Sequence, residues 1–169
     1  MKLLFISLGC DKNLVDSEEM LGMLAADGHE IVDDEDEAEV IIVNTCCFIG
    51  DAKEESVNTI LEMAEKKKAG TCKVLIVTGC MAQRYKKEIS EEIPEVDAIL
   101  GTTSYGDISK AVKEAQAGRH FEEYKSIDFL PDISGKRMLT TGGHFAYLKI
   151  AEGCDKHCTY CIIPRLRGL

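Results

Sequence analysis

Short apolar runs alternate with amphipathic stretches along most of this chain. Lys2 to Leu8, Val40 to Val43, Val74 to Val77 and Ala98 to Leu100 are nearly unbroken hydrophobic segments. They are too short for buried helices and match strands covered on both faces. His29 to Val32 predicts a further brief strand. Between them, apolar residues recur at helical spacing: Leu14, Leu21 and Leu24, then Val57, Ile60, Leu61 and Ala64, then Ile108, Ala111, Val112 and Ala115. Asn13 suits the cap of the first helix, and Asp51 with Glu54 forms a capping box for the second. Gly28, Gly70 and Gly118 are stop signals, and a single helix from about Met81 to Glu92 ends before Pro94. Strand and helix in strict alternation predict an α/β domain over residues 1–118, an open parallel sheet flanked by helices on both faces.

The pattern stops there. Residues 119–143 hold Pro131, Gly135, Gly142 and Gly143 without a helical stripe, and read as a linker with room for a hairpin. His144 to Ile150 predicts a strand that opens a second unit over residues 144–169.

Charge narrows the possible partners. The 169 residues carry a formal charge of −10. An acidic surface repels phosphates, so direct nucleic-acid binding is not expected and a basic partner fits better. The acidic run Asp33 to Glu39 needs no more than a solvated loop. No stretch approaches the roughly 20 apolar residues of a membrane span. The apolar start, Leu3 to Ile6, is shorter than the core of a signal peptide. Both predict a cytoplasmic protein that does not enter a membrane. In that reducing compartment, eight cysteines are better metal ligands or catalytic thiols than disulfides.

Three of the eight share one structural slot. Cys10, Cys46 and Cys80 each follow a buried-type strand, at the edge where open parallel sheets bind ligands. One such cysteine is adequately explained as a small buried apolar residue. Three are not, because core packing has no reason to choose the same edge each time. Strands lie about 4.8 Å apart, so three thiols on neighbouring strand ends reach one cofactor. Only one of Cys46 and Cys47 can face that site, and strand position does not say which. Cys72 precedes its strand and lies at the wrong edge.

A second trio, Cys154, Cys158 and Cys161, occupies one tight loop. A zinc site would need a fourth ligand, and adjacent His157 and Cys158 would have to bind together. A thioredoxin-like pair from Cys158 and Cys161 leaves the third thiol unexplained. A 4Fe–4S cluster with one iron not held by protein accounts for all three.

With Tyr160 before its last cysteine, this loop resembles the cluster motif of radical S-adenosylmethionine enzymes. The wider match is to the methylthiotransferases. It rests on Leu8-Gly9-Cys10-Asp11-Lys12-Asn13-Leu14-Val15-Asp16-Ser17-Glu18, on Val43-Asn44-Thr45-Cys46 and on Thr78-Gly79-Cys80. Glu152-Gly153-Cys154 through Cys161-Ile162-Ile163-Pro164, with Arg167-Gly168, extends it over nearly the whole chain. The first segment resembles the branch that modifies an aspartate of a small-subunit ribosomal protein, although Asp11 stands where that branch most often has proline. The branch acting on adenosine in transfer RNA is the alternative. An iron–sulfur electron carrier or scaffold and a zinc-stabilised binding module are the alternatives from other classes.

The resemblance implies that Cys46, not Cys47, joins Cys10 and Cys80 on one 4Fe–4S cluster that holds the sulfur to be transferred. It implies that Cys154, Cys158 and Cys161 hold a second 4Fe–4S cluster, with S-adenosylmethionine on its open iron and Tyr160 beside the adenine. Attachment of a methylthio group to the β-carbon of aspartate would then need a ribosomal protein substrate and an electron donor such as flavodoxin or ferredoxin. Residues 144–169 would be the first strand and cluster loop of a truncated radical partial barrel, so the isolated chain is not expected to turn over. Asn13 and Asn44 read as cap and turn residues ahead of a role in hydrogen-bonding cluster sulfurs; Lys12 reads as a substrate contact or a solvated residue, and Arg165 and Arg167 as contacts of the cofactor carboxylate or of the rest of the barrel.

Overall fold

The computed structural model describes residues 1–132, 135 and 137–169. In chain order it contains β1 (Lys2–Ser7), α1 (Asp11–Ala26), β2 (Glu30–Ile31), β3 (Val40–Thr45) and α2 (Gly50–Lys68). Then follow β4 (Val74–Gly79), α3 (Cys80–Arg84), α4 (Lys86–Glu92), β5 (Ala98–Leu100), α5 (Ile108–Gln116), β6 (Phe121–Glu123) and α6 (Ile163–Arg167). The strands form one parallel sheet in the order β2-β1-β3-β4-β5-β6. The order reverses between β1 and β3, and such a switch point opens a crevice at the carboxyl ends of the strands.

Alternation inside the central strands builds two apolar layers. Val40, Ile42, Val74 and Ile76 pack with Met20 and Leu24 of α1 and with Ile108 and Val112 of α5. Ile41, Val43, Leu75 and Val77 face the other way, onto Ile60 and Met63 of α2 and Ile89 of α4. Burying one such aliphatic side chain contributes about 1.5–3 kcal/mol, which makes β3 and β4 the firmest part of the fold. No helix among the described residues is long and apolar enough to cross a membrane.

Several local expectations need correction. Helix α1 starts at Asp11 with Cys10 in the cap position, so Asn13 is not its cap. Helix α2 starts at Gly50, and no side chain caps it; Asp51 sits in its first turn, where its charge suits the helix dipole. The single helix expected over 81–92 is two, because Tyr85 (φ −116°, ψ 32°) leaves the helical region; its ring is flanked by Lys53 and Arg84. The sheet does not end before Gly118, since β6 pairs with β5 inside the stretch read as a linker. Residues 144–150 form no strand. Among the described residues no other strand lies beside them to complete a ladder. The hairpin allowed for 119–143 falls partly on Ile133, Ser134 and Lys136, which lie outside the described residues.

Candidate functional site

Strands β1, β3 and β4 are neighbours, with Ser7 beside Asn44, Asn44 beside Thr78 and Thr45 beside Gly79. The residues that follow them therefore emerge side by side. Cys10, Cys46 and Cys80 all line one open cavity of about 870 Å³, with Lys12, Phe48 and Arg167 among its other walls. Cys10 is exposed, while Cys46 and Cys80 are buried. Burial pushes the Cys80 thiol up to about 11, against the pull of the Arg167 guanidinium beside it.

Cys47 and Cys72 do not line this cavity. Cys47 is buried in the layer under α2, where burial raises its pKa against the pull of Arg84. The Cys72 thiol donates to the Val74 carbonyl at 3.0 Å. Strand alternation does not govern Cys46 and Cys47, since β3 ends at Thr45 and both lie in the irregular segment before α2.

A glycine makes the approach of β1 to Cys46 possible. Gly9 has φ +93°, and a Cβ there would sit 2.6 Å from the Cys46 Cβ and 2.9 Å from its sulfur.

Asn13 ties the three strand ends together. It is fully buried, and its Nδ2 donates to Leu8 O at 2.8 Å and Thr45 O at 3.0 Å. Its Oδ1 accepts from Arg167 Nη2 at 2.5 Å and lies 3.8 Å from the Cys80 sulfur. The opposite amide orientation would set oxygen against two carbonyls and NH₂ against a guanidinium, so the assignment is unambiguous. Below it, Asn44 Nδ2 donates to Asn13 O and to Ser17 Oγ, each at 2.9 Å. Ser56 Oγ accepts from Cys46 N at 2.9 Å and donates to Cys46 O at 2.8 Å, which fixes the backbone of that cysteine. Asn13 and Asn44 are structural, as their residue type suggested, but as buried braces of the site rather than as a cap and a turn.

The second trio is looser. Cys158 is exposed, and Cys154 and Cys161 are half-buried. Cys158 and Cys161 share a cavity of about 280 Å³ with Tyr160 and Arg165, while Cys154 lies outside it. Tyr160 is 89% exposed. The loop is closed by Cys154 N donating to Gly168 O at 3.1 Å. Among the described residues, no three His, Cys, Asp or Glu side chains converge on a single metal ion in either place.

Sequence reasoning missed the pairing of the charges that join the two regions. Lys149 Nζ donates to Asp16 Oδ1 at 2.5 Å and pairs with Glu152. Arg167 reaches Asp16 Oδ2 at 2.8 Å and Glu152 Oε2 at 3.2 Å. All four side chains are at most 10% exposed. Lys12 Nζ donates to Glu152 O at 2.8 Å. Further along α1, Glu18 accepts from Thr140 N at 2.6 Å and from Arg137 Nε at 2.7 Å. The available signal was a polar stripe, Asn13, Asp16 and Ser17, at the same helical spacing as the buried Met20 and Leu24.

Residues 2–101 match a family described as uncharacterized protein family UPF0004. A curated protein of Lachnoclostridium phytofermentans, named ribosomal protein uS12 methylthiotransferase RimO, is 63% identical over 168 residues, 99% of this chain and 38% of its own length. Proteins of the same name from Clostridioides difficile and Acetivibrio thermocellus are each 52% identical, covering 99% and 96% of this chain and 38% and 37% of their own lengths. The chain thus spans under two-fifths of the curated relatives it matches.

Proposed function

Because the chain belongs to the UPF0004 family over residues 2–101, we propose that it supplies the sulfur-handling domain of a methylthiotransferase. The substrate proposed is an aspartate of a small-subunit ribosomal protein; the printed name of the relatives gives ribosomal protein uS12 for them, and the aspartate follows from the resemblance of the first segment. The observation that carries the reading is the gathering of Cys10, Cys46 and Cys80 on one cavity from three adjacent strand ends.

The residues fit a 4Fe–4S cluster there. Three free thiols border one open cavity of about 870 Å³, which has room for a cluster several atoms across. Cys10, Cys46 and Cys80 would hold it, with Asn13 keeping their strand ends in register and Gly9 leaving room beside Cys46. Cys154, Cys158 and Cys161 would hold the second cluster, on a loop whose base is clamped by Lys12 and by Gly168. When bound, three-cysteine clusters each offer an iron open to an added ligand, a sulfur species at the first and S-adenosylmethionine at the second, with one-electron chemistry at the latter. Tyr160 is free to lie against the adenine, since its ring is exposed beside Cys158 and Cys161. In this reading the first domain runs past residue 118 to take in β6, the connection follows Glu123, and residues 144–169 are the start of the radical domain. A donor such as flavodoxin or ferredoxin would supply electrons, and the setting is the cytoplasm.

The test is a chimera in which this chain replaces the matching part of the Lachnoclostridium relative. Anaerobically reconstituted and given S-adenosylmethionine, dithionite, its ribosomal protein and transfer RNA, it is expected to add one methylthio group to an aspartate, read by peptide mass. No such product, with the intact relative active in parallel, would contradict the proposal; methylthiolation of transfer RNA adenosine instead would replace the substrate.

A further inference from the structure

We propose that Arg167 is a positioning residue of the three-thiol cavity, so that the first site is completed only when the segment bearing the second trio of cysteines is docked on α1. The proposal rests on reading Cys10, Cys46 and Cys80 as cluster ligands. Arg167 belongs to α6, beyond Cys161, yet its side chain lines the cavity of the first three thiols and is only 4% exposed.

Its guanidinium makes three directed contacts. One nitrogen serves both Asn13 Oδ1 at 2.5 Å and Asp16 Oδ2 at 2.8 Å, and the other reaches Glu152 Oε2 at 3.2 Å. Asp16 and Glu152 hold the guanidinium in place, and Lys149 balances their charge from the far side. Arg167 in turn holds Asn13. The terminal torsion of an asparagine is soft, and a guanidinium on its oxygen together with two carbonyls on its nitrogen leaves a single satisfied orientation. That orientation braces Leu8, ahead of Cys10, and Thr45, ahead of Cys46, and sets Oδ1 near the Cys80 sulfur. One residue from the second unit thus reaches the surroundings of all three thiols.

Arginine is required for geometry as well as charge. Its planar fork serves several acceptors at fixed angles, whereas lysine offers one compact charge on a flexible stem. Outer groups that orient ligands and donate hydrogen bonds near cluster sulfurs also tune potential.

The experiment uses this chain with Cys154, Cys158 and Cys161 changed to Ala, so that only the first site binds. The parent, Arg167→Gln and Arg167→Lys are reconstituted anaerobically with ferrous iron and sulfide. Iron per chain, the electron paramagnetic resonance spectrum of the reduced cluster and its midpoint potential are read. The parent is expected to hold about four irons. Arg167→Gln moves the potential to more negative values and changes the spectrum. Arg167→Lys recovers part of the potential and keeps the altered spectrum. Should Arg167→Gln not fold, Glu152→Gln, which loosens Arg167 without removing it, is expected to shift both readings less, in the same direction. Four irons with unchanged spectrum and potential in the variants overturn the role of Arg167 and leave the cluster reading intact. No iron in the parent overturns the cluster reading, and the proposal falls with it.

Discussion

Replacing Asn13 by alanine removes the tie between three strand ends, and the cost follows from the hydrogen bonds that its amide makes. Thr45 is fully buried, so its carbonyl is left without a donor that water can replace, at about 1–3 kcal/mol. Arg167 gives up a charge-assisted bond of the kind that contributes about 1.5–3 kcal/mol. The Leu8 carbonyl is only part-buried and recruits water, adding little. Together these give a destabilisation of about 3–5 kcal/mol, which for a chain of this size lowers Tm by roughly 6–20 °C. Urea unfolding of the reduced, metal-free chain measures the first quantity and a circular dichroism melt the second.

Asn13→Asp separates this account from a helix cap. Aspartate caps helices as well as asparagine does, so a capping residue would tolerate the change. A brace does not. The carboxylate keeps Arg167 but faces the Leu8 and Thr45 carbonyls with oxygen, and the destabilisation is expected to match that of alanine. An Asn13→Ala chain within about 0.5 kcal/mol of the parent, or an Asn13→Asp chain as stable as the parent, would refute the reasoning.

Gly9→Ala forces a Cβ against Cys46 at a φ of +93°, and is expected to cost at least about 1–3 kcal/mol and to lower iron uptake at the first site, read by melts and iron assay. Glu18→Gln tests the anchor of residues 137–140. Burial pushes the Glu18 carboxyl up, but the bonds from Thr140 and Arg137 together outweigh it and hold it below its ordinary 4.5. A depressed carboxylate adds stability above its unfolded pKa and loses it as the pH falls through the folded one. The variant should therefore be less stable than the parent at pH 7 by about 1–3 kcal/mol. That gap should narrow as the pH falls below the ordinary carboxylate range, and a gap that kept its neutral-pH size through the acid range in urea titrations would contradict the assignment. Lys149→Met leaves Asp16 and Glu152 short of a buried cation and is expected to cost about 3–5 kcal/mol in the same titrations, whereas a surface pair would lose under about 1 kcal/mol.

The sheet is legible because its central strands announce themselves. Val40 to Val43 and Val74 to Val77 are apolar on both faces, the pattern that a central strand of a covered parallel sheet requires. The slot shared by Cys10, Cys46 and Cys80 follows from those strands, since a parallel sheet brings its carboxyl ends to one edge. Strand β6 escapes the pattern because Phe121, Glu122 and Glu123 are partly exposed at the sheet edge and carry no apolar run. Residues 144–150 mislead for the opposite reason: an apolar run looks like a strand, yet Leu148 and Ile150 are exposed and Lys149 is the side chain that turns inward. The braces of the site stay hidden because their partners are remote. Asn13 meets Arg167, and Glu18 meets Thr140, across more than a hundred residues, and no local period encodes such a pair.

The central claim is that Cys10, Cys46 and Cys80 form one iron–sulfur site, distinct from that of Cys154, Cys158 and Cys161. Anaerobic reconstitution of this chain, with iron and sulfide counted per chain, tests it most directly. About eight irons are expected in the parent and about four once Cys10, Cys46 and Cys80 are alanine, with no loss for Cys47→Ala or Cys72→Ala. An unchanged count in the triple variant, a loss on changing Cys47, or a protein that takes up one zinc and no iron would contradict it.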